Sequence, residues 1–215
     1  MSVVRFRKID DQNRGDHFYL GAEDECYYLH EYTAHKGFSH SPTNQLIVNL
    51  KKRRGQGGFQ YKAVAIRNCA AQLSTAIRPE WLSDAVLVPT PPSKVKTDPQ
   101  YDDRVAQICR AIRTPNPANV RELVNQTKSM TASHEGERHK PDELKAAYQI
   151  DESLTSNMPD KIGIVDDMVT AGAHFRAMKD VLGARFPQAK IVGFFVTRRI
   201  HPNPFEGFEE LLDDV

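Results

Sequence analysis

Ile162-Gly163-Ile164-Val165-Asp166-Asp167-Met168-Val169-Thr170-Ala171-Gly172-Ala173 reads as a buried strand, two adjacent carboxylates at its carboxyl end, a turn of small residues and the start of a helix. Such a turn presents free backbone N–H groups and the positive end of a helix dipole, which suits a phosphate. Thr170 adds a hydroxyl donor, and Gly172 lets the backbone close around an anion. Two carboxylates beside a phosphate cradle repel that anion unless they bind something else. Sugar hydroxyls, with a divalent cation nearby, satisfy both demands.

The same rhythm of strand and helix continues on either side. Downstream, Phe175, Met178, Leu182 and Phe186 align on a helix over 173–186, and Ile191–Val196 reads as a strand. Upstream, Ala85–Val88 reads as a strand opening into the turn Pro89-Thr90-Pro91-Pro92, and 101–112 as a helix with Val105, Ile108 and Ile112 on one side. A weaker strand follows over 120–124, then a long polar stretch, Asn125–Lys140, without periodicity. Nearer the start, a strand is expected around Cys26–His30. Ser41-Pro42 opens a helix carrying Leu46, Ile47 and Leu50, which runs out in Lys51-Lys52-Arg53-Arg54. Steps of four and three through Phe59, Ala63, Ile66, Ala70, Leu73 and Ile77 mark another helix, ended by Arg78-Pro79. Short apolar strands alternating with helices predict an α/β fold: an open, mainly parallel twisted sheet with helices on both faces. Ligands of such sheets bind beyond the carboxyl ends of the strands.

The whole chain has 215 residues, enough for one domain with its own core. Its 29 Lys+Arg against 28 Asp+Glu leave a formal charge of +1, so no overall field draws it to nucleic acid or an anionic membrane. Four basic residues at Lys51–Arg54 also suit the negative end of a helix dipole, and nucleic acid is not expected as a partner. Cys26, Cys69 and Cys109 form no zinc or disulfide spacing, and the charged start has no apolar leader segment. A cytoplasmic location is therefore expected, with no membrane partner. The eight histidines show no i, i+4 pairing, which argues against a histidine metal site. A receiver domain, which also uses paired aspartates, is not expected, because the 48 residues that follow Asp167 are too few for the rest of that fold.

The stretch Ile162–Ala173 resembles the phosphoribosyl-pyrophosphate (PRPP) loop of the type I phosphoribosyltransferases, in which apolar residues precede an acidic pair, two further apolar residues and a Thr-x-Gly turn. Ala85–Lys96 resembles the pyrophosphate loop of that family, in the Val-Pro-x-Pro form of its ComF-like branch. Asn125–Lys140 falls where the family has a mobile catalytic loop. The likeness extends loosely over Ala85–Thr197, with nothing before Trp81. It implies a core over 61–200, a small N-terminal hood over 1–60 and an acidic tail over 201–215.

The resemblance also implies a distribution of roles. Asp166 and Asp167 would accept hydrogen bonds from the ribose hydroxyls and hold Mg²⁺ indirectly. Thr170, Ala171, Gly172, Ala173 and His174 would wrap the 5′-phosphate. Thr90, Pro91, Pro92, Ser93 and Lys94, with Lys96, would meet the pyrophosphate, and Lys128 and Arg138 would close over it as catalytic groups. PRPP and a nucleobase or amine acceptor are the implied substrates, and a homodimer is common in the family. Asp167→Asn is expected to remove turnover while sparing the fold.

The chain also departs from the family pattern. Ala173 and His174 stand where many members carry a hydroxyl, a loss worth roughly 10- to 150-fold in affinity. His174 is expected to compensate as a cationic donor. Thr170 replaces the acid of the 6-oxopurine enzymes, which disfavours hypoxanthine and guanine. A PRPP- or nucleotide-sensing regulatory protein on the same fold is the alternative.

Overall fold

Successive side chains along a strand fall on opposite faces of one sheet. The computed structural model describes residues 4–130 and 139–202. In chain order its elements are β1 (Arg7–Lys8), β2 (Glu25–Thr33), α1 (Pro42–Leu50), α2 (Gln60–Ala76), α3 (Pro79–Ser83) and β3 (Ala85–Pro89). There follow α4 (Arg104–Ala111), β4 (Val124–Gln126), α5 (Pro141–Ala147), β5 (Tyr148–Ile150), β6 (Lys161–Val169), α6 (Ala173–Arg185) and β7 (Lys190–Ile200). The main sheet has the order β1-β2-β7-β6-β3, parallel throughout except for the edge strand β1. β4 and β5 form a separate antiparallel ribbon.

Period two decides which helix each residue meets. Val86, Val88, Ile162, Ile164 and Phe195 pack with Phe175, Met178 and Leu182 of α6 and Leu144 of α5. Leu87, Val165, Val192, Phe194 and Val196 pack on the opposite face with Ile47, Leu73 and Ile108 from α1, α2 and α4. The fold is therefore α/β, a mostly parallel mixed sheet covered by helices on both faces. Double coverage explains why the inner strands read as continuous apolar runs. Each fully buried Leu, Ile or Phe contributes about 1.5–3 kcal/mol. Gly163 lies where three side chains converge: a Cβ there would meet Leu87, Trp81 and Phe194 at 3.0 Å or less.

Several expected boundaries move, for identifiable reasons. β6 runs four residues past Val165, so Asp166 and Asp167 lie inside the strand, Asp166 opposite Phe195. β7 likewise continues through Thr197-Arg198-Arg199. Backbone pairing carries both strands past the point where apolar side chains stop. The helix expected from 101 begins at Arg104, leaving Tyr101–Asp103 in the preceding loop. Of the strand expected over 120–124 only Val124 joins β4, while Val120 makes a single bridge to Leu87. On α2 the buried face takes Lys62, Ala65 and Cys69, and Phe59 and Ala63 are exposed.

Within residues 1–60, β2 pairs in parallel with β7, so this stretch contributes a strand to the main sheet. Cys26, Cys69 and Cys109 are buried and free. No helix among the described residues is long and apolar enough to cross a membrane.

Candidate functional site

β6 delivers its carboxylates to the carboxyl end of the sheet and then turns sharply through Thr170–Gly172 into α6. Gly172 takes φ +90°, a left-handed conformation that glycine adopts without strain. Beside it, the Thr90 N–H donates to the Val165 carbonyl at 2.9 Å, which fastens the proline turn after β3 to β6. Between them opens a cleft of about 420 Å³. Asp166, Asp167, Thr170 and His174 line it, as do Thr90, Pro91, Pro92, Ser93, Lys94 and Lys96. Two stretches some 70 residues apart in sequence thus share one cavity, where open parallel sheets take their ligands.

The two carboxylates differ in environment. Asp167, 4 % exposed, accepts Arg104 Nε at 2.7 Å, and Lys51 Nζ stands 4.0 Å away. Burial alone would raise its pKa, but the Arg104 and Lys51 charges hold it well below the usual carboxylate range. Asp166 is pushed up, by burial first and then by the Asp167 charge beside it; its Oδ1 accepts the Asp167 N–H at 2.7 Å. One carboxyl of the pair is inclined to keep a proton while the other stays ionised. Arg104 is itself shared with Asp102 at 2.9 Å, and Asp102 accepts Lys62 Nζ at 2.8 Å. Lys62 also donates to the Leu50 and Lys52 carbonyls, which satisfies the C-terminal end of α1 and fixes where Lys51 leaves it.

His174 meets the Tyr148 hydroxyl at 2.7 Å through Nδ1. Burial pushes its pKa down to about 4, with the His139 charge acting the same way. The ring is neutral at pH 7, which corrects the expectation of a cationic donor. An unfolded chain takes up this proton near pH 6.5, whereas the folded one resists it until about 4. The contribution of His174 to the unfolding free energy should therefore fall as pH drops from about 6.5 to 4, and level off below. His17, also lowered by burial, adds in the same direction. In His174→Gln that fall should be shallower in denaturation curves across this window. Ring-proton NMR of the wild type should place the His174 midpoint near 4.

Other expected residues sit apart from the cleft surface. Ala171, Gly172 and Ala173 are buried behind it, so only their backbone could serve a ligand. Lys128 is exposed and does not line the cleft. Arg138 lies outside the described residues.

In their place the structure brings Lys51, Arg53, Tyr101, Arg104 and Gln126 to the wall. The run Lys51–Arg54 was visible in sequence, but only its contact with Asp167 separates a cleft wall from a helix end. Tyr101 and Arg104 gave no signal. Thr90 Oγ1 and both amide atoms of Gln126 are buried without a hydrogen-bond partner, although both residues line the cleft. Unpaired buried polar atoms cost about 1–3 kcal/mol each, which a ligand able to pair with them would offset. Among the described residues no group of three or more His, Cys, Asp or Glu side chains is placed to hold a metal ion. No protein-family model matches the chain, and a comparison with curated proteins returns no match either.

Proposed function

We propose that the chain is a Mg²⁺-dependent phosphoribosyltransferase of the type I fold, transferring the 5-phosphoribosyl group of PRPP to a nitrogenous acceptor with release of pyrophosphate. The observation that carries this reading is the joining of the acidic pair, the small-residue turn and the proline turn in one cleft at the carboxyl ends of β3 and β6. The 5′-phosphate would lie on the amides opening α6. The ribose hydroxyls would meet two unlike groups, Asp167 as acceptor and Asp166 as the carboxyl inclined to hold a proton. As the C1–O bond loosens, positive charge on the ring is favoured by the fixed negative charge of Asp167. Lys94 and Lys96, with Thr90 Oγ1, stand on the wall that would receive the departing pyrophosphate. The nitrogen nucleophile would enter from the opposite face, with inversion.

An indirect role for Mg²⁺ belongs to the same proposal: Asp166 would give up its proton and hold the ion through water, while Asp167 is committed to Arg104. Bound there, the ion would supply neutralising charge to the pyrophosphate oxygens. Three free, buried cysteines fit a reducing compartment, and a cytoplasmic location belongs to the same proposal.

A second reading, a PRPP- or nucleotide-responsive regulatory protein without turnover, draws on two observations. Arg104 occupies Asp167 Oδ2, and Lys128 stays off the cleft wall. The test is calorimetric titration of PRPP with and without Mg²⁺ into wild type and Asp166→Asn, followed by an assay of pyrophosphate release over a panel of nitrogen acceptors. Mg²⁺-dependent binding lost in Asp166→Asn, with release in at least one reaction, is expected. Binding without release from any acceptor favours the regulatory reading, and no binding by folded wild type removes both.

A further inference from the structure

The turn Thr170–Gly172 does not stand alone. Residues 17–24 run beneath it, and His17 reaches Thr170 across 153 positions of sequence. His17, fully buried, donates Nδ1–H to the Thr170 carbonyl, since a carbonyl can only accept. Two residues on, the Tyr19 N–H donates to the Ala171 carbonyl at 2.9 Å. Leu20 then packs under Gly172, where a Cβ would meet its side chain at 2.8 Å.

This strap is itself pinned to α6. The buried Asp24 carboxylate accepts the Gly21 N–H at 2.7 Å, and Arg176 and Lys179 of α6 at 2.5 Å each. Arg176 Nε also donates to the Tyr19 carbonyl at 3.2 Å.

Peptide geometry turns these bonds into a statement about the turn. In a trans peptide the C=O and the N–H of the next residue point in opposite directions, and the described chain has no cis bond. Drawing the Thr170 and Ala171 carbonyls down to the strap therefore turns the N–H groups of Ala171 and Gly172 the other way. The first amides of α6 beyond them have no acceptor within the helix. Successive N–H groups on one side, with their carbonyls withdrawn to the other, make an anion nest. Thr170 and His174, at either end of this run, line the cleft, and Thr90 Oγ1, 6 % exposed and unpartnered, belongs to the same cavity.

We propose that His17 and Tyr19 are positioning residues for this nest: the N-terminal strap holds the turn in its anion-binding form before any ligand arrives. The proposal rests on the cleft being the phosphate site that the transferase reading requires, and it assigns a role in that site to a segment with no recognisable motif. His17→Leu keeps an apolar filler and removes the donor, whereas His17→Asn keeps an N–H donor near the position of Nδ1.

The experiment follows backbone amides by ¹⁵N NMR while inorganic phosphate, ribose 5-phosphate or PRPP is added, with affinities from calorimetry. In wild type the Ala171 and Gly172 N–H resonances should shift on binding of each probe. His17→Leu should weaken ribose 5-phosphate binding about 10- to 100-fold, and His17→Asn should recover most of that loss. Wild-type binding by a folded His17→Leu overturns the strap's role, as does His17→Asn binding no better than His17→Leu. Should His17→Leu not fold, unmoved Ala171 and Gly172 amides in phosphate-saturated wild type overturn it equally. Ribose 5-phosphate binding with no pyrophosphate release from PRPP sinks the transferase and leaves the strap standing. No anion binding by wild type ends both.

Discussion

Asp167→Asn is expected to cost about 3–5 kcal/mol of folding stability, as well as any activity. The substitution removes the ionised partner of Arg104, whose side chain also holds Asp102 and, through it, Lys62. Arg104 and Lys51 would be left facing a neutral amide in a poorly hydrated site. At about 2–4 °C per kcal/mol for a chain of this size, the loss should read as roughly 10 °C in Tm. The contact with Arg104 is what sets this expected result apart from the expectation from sequence that the variant spares the fold.

Two measurements check this. Arg104→Gln combined with Asp167→Asn should lose less than the sum of the single variants, because neither charge is then stranded. Simple additivity would show that the pair is not coupled. The pH dependence gives the second check. Asp167 has a folded pKa below its unfolded one, so its stabilisation is present above about pH 4 and is lost as pH falls through the folded value. Asp167→Asn should therefore flatten the acid limb below about pH 4, apart from the His174 window above it. Asp166 works in the opposite sense: its raised pKa takes stability away as pH climbs past the unfolded carboxyl value. An acid limb unchanged in Asp167→Asn would contradict the assignment of the ionised partner.

Gly172→Ala is the second substitution with a large expected effect. Two independent penalties meet there. A side chain at φ +90° costs about 1–2 kcal/mol through its contact with the following carbonyl. The new Cβ also meets Leu20 Cγ and Cδ2 at 2.8 Å, and overpacking of this kind costs about 1–3 kcal/mol. Leu20 cannot move away freely, because its neighbour Tyr19 is tied to both Ala171 and Arg176. Denaturant unfolding should show a loss of about 2–5 kcal/mol. In a Leu20→Ala background the same change should cost only the backbone share. An equal cost in both backgrounds would mean that the contact with Leu20 contributes nothing. Because the turn is also the proposed phosphate cradle, ribose 5-phosphate binding should weaken in Gly172→Ala under conditions where it remains folded.

The sequence by itself determined the parts of this protein whose causes are local. Alternation and helical spacing reported burial, so β3, β6, β7, α1, α2 and α6 were legible, with ends displaced where backbone pairing outran the apolar residues. Turn chemistry was equally legible: Ser41 accepts the Asn44 N–H at 3.1 Å to cap α1, and Thr170-Ala171-Gly172 turns β6 into α6. The acidic pair and the proline turn were each visible because strand, breaker and charge lie next to one another in the chain.

What only the tertiary structure decided was partnership at a distance. β2 enters the main sheet beside β7, a pairing between residues more than 160 positions apart that no local pattern encodes. Lys62 reaches Asp102 across 40 positions, Arg104 reaches Asp167 across 63, and His17 reaches Thr170 across 153. Each of those side chains, read alone, is an ordinary charged or polar residue. Its role depends on which opposite charge or carbonyl the fold brings within 3 Å. The two aspartates make the point most directly: identical neighbours in sequence, they are pushed in opposite directions, Asp166 up by burial and by the Asp167 charge, Asp167 down by the Arg104 guanidinium that bonds it.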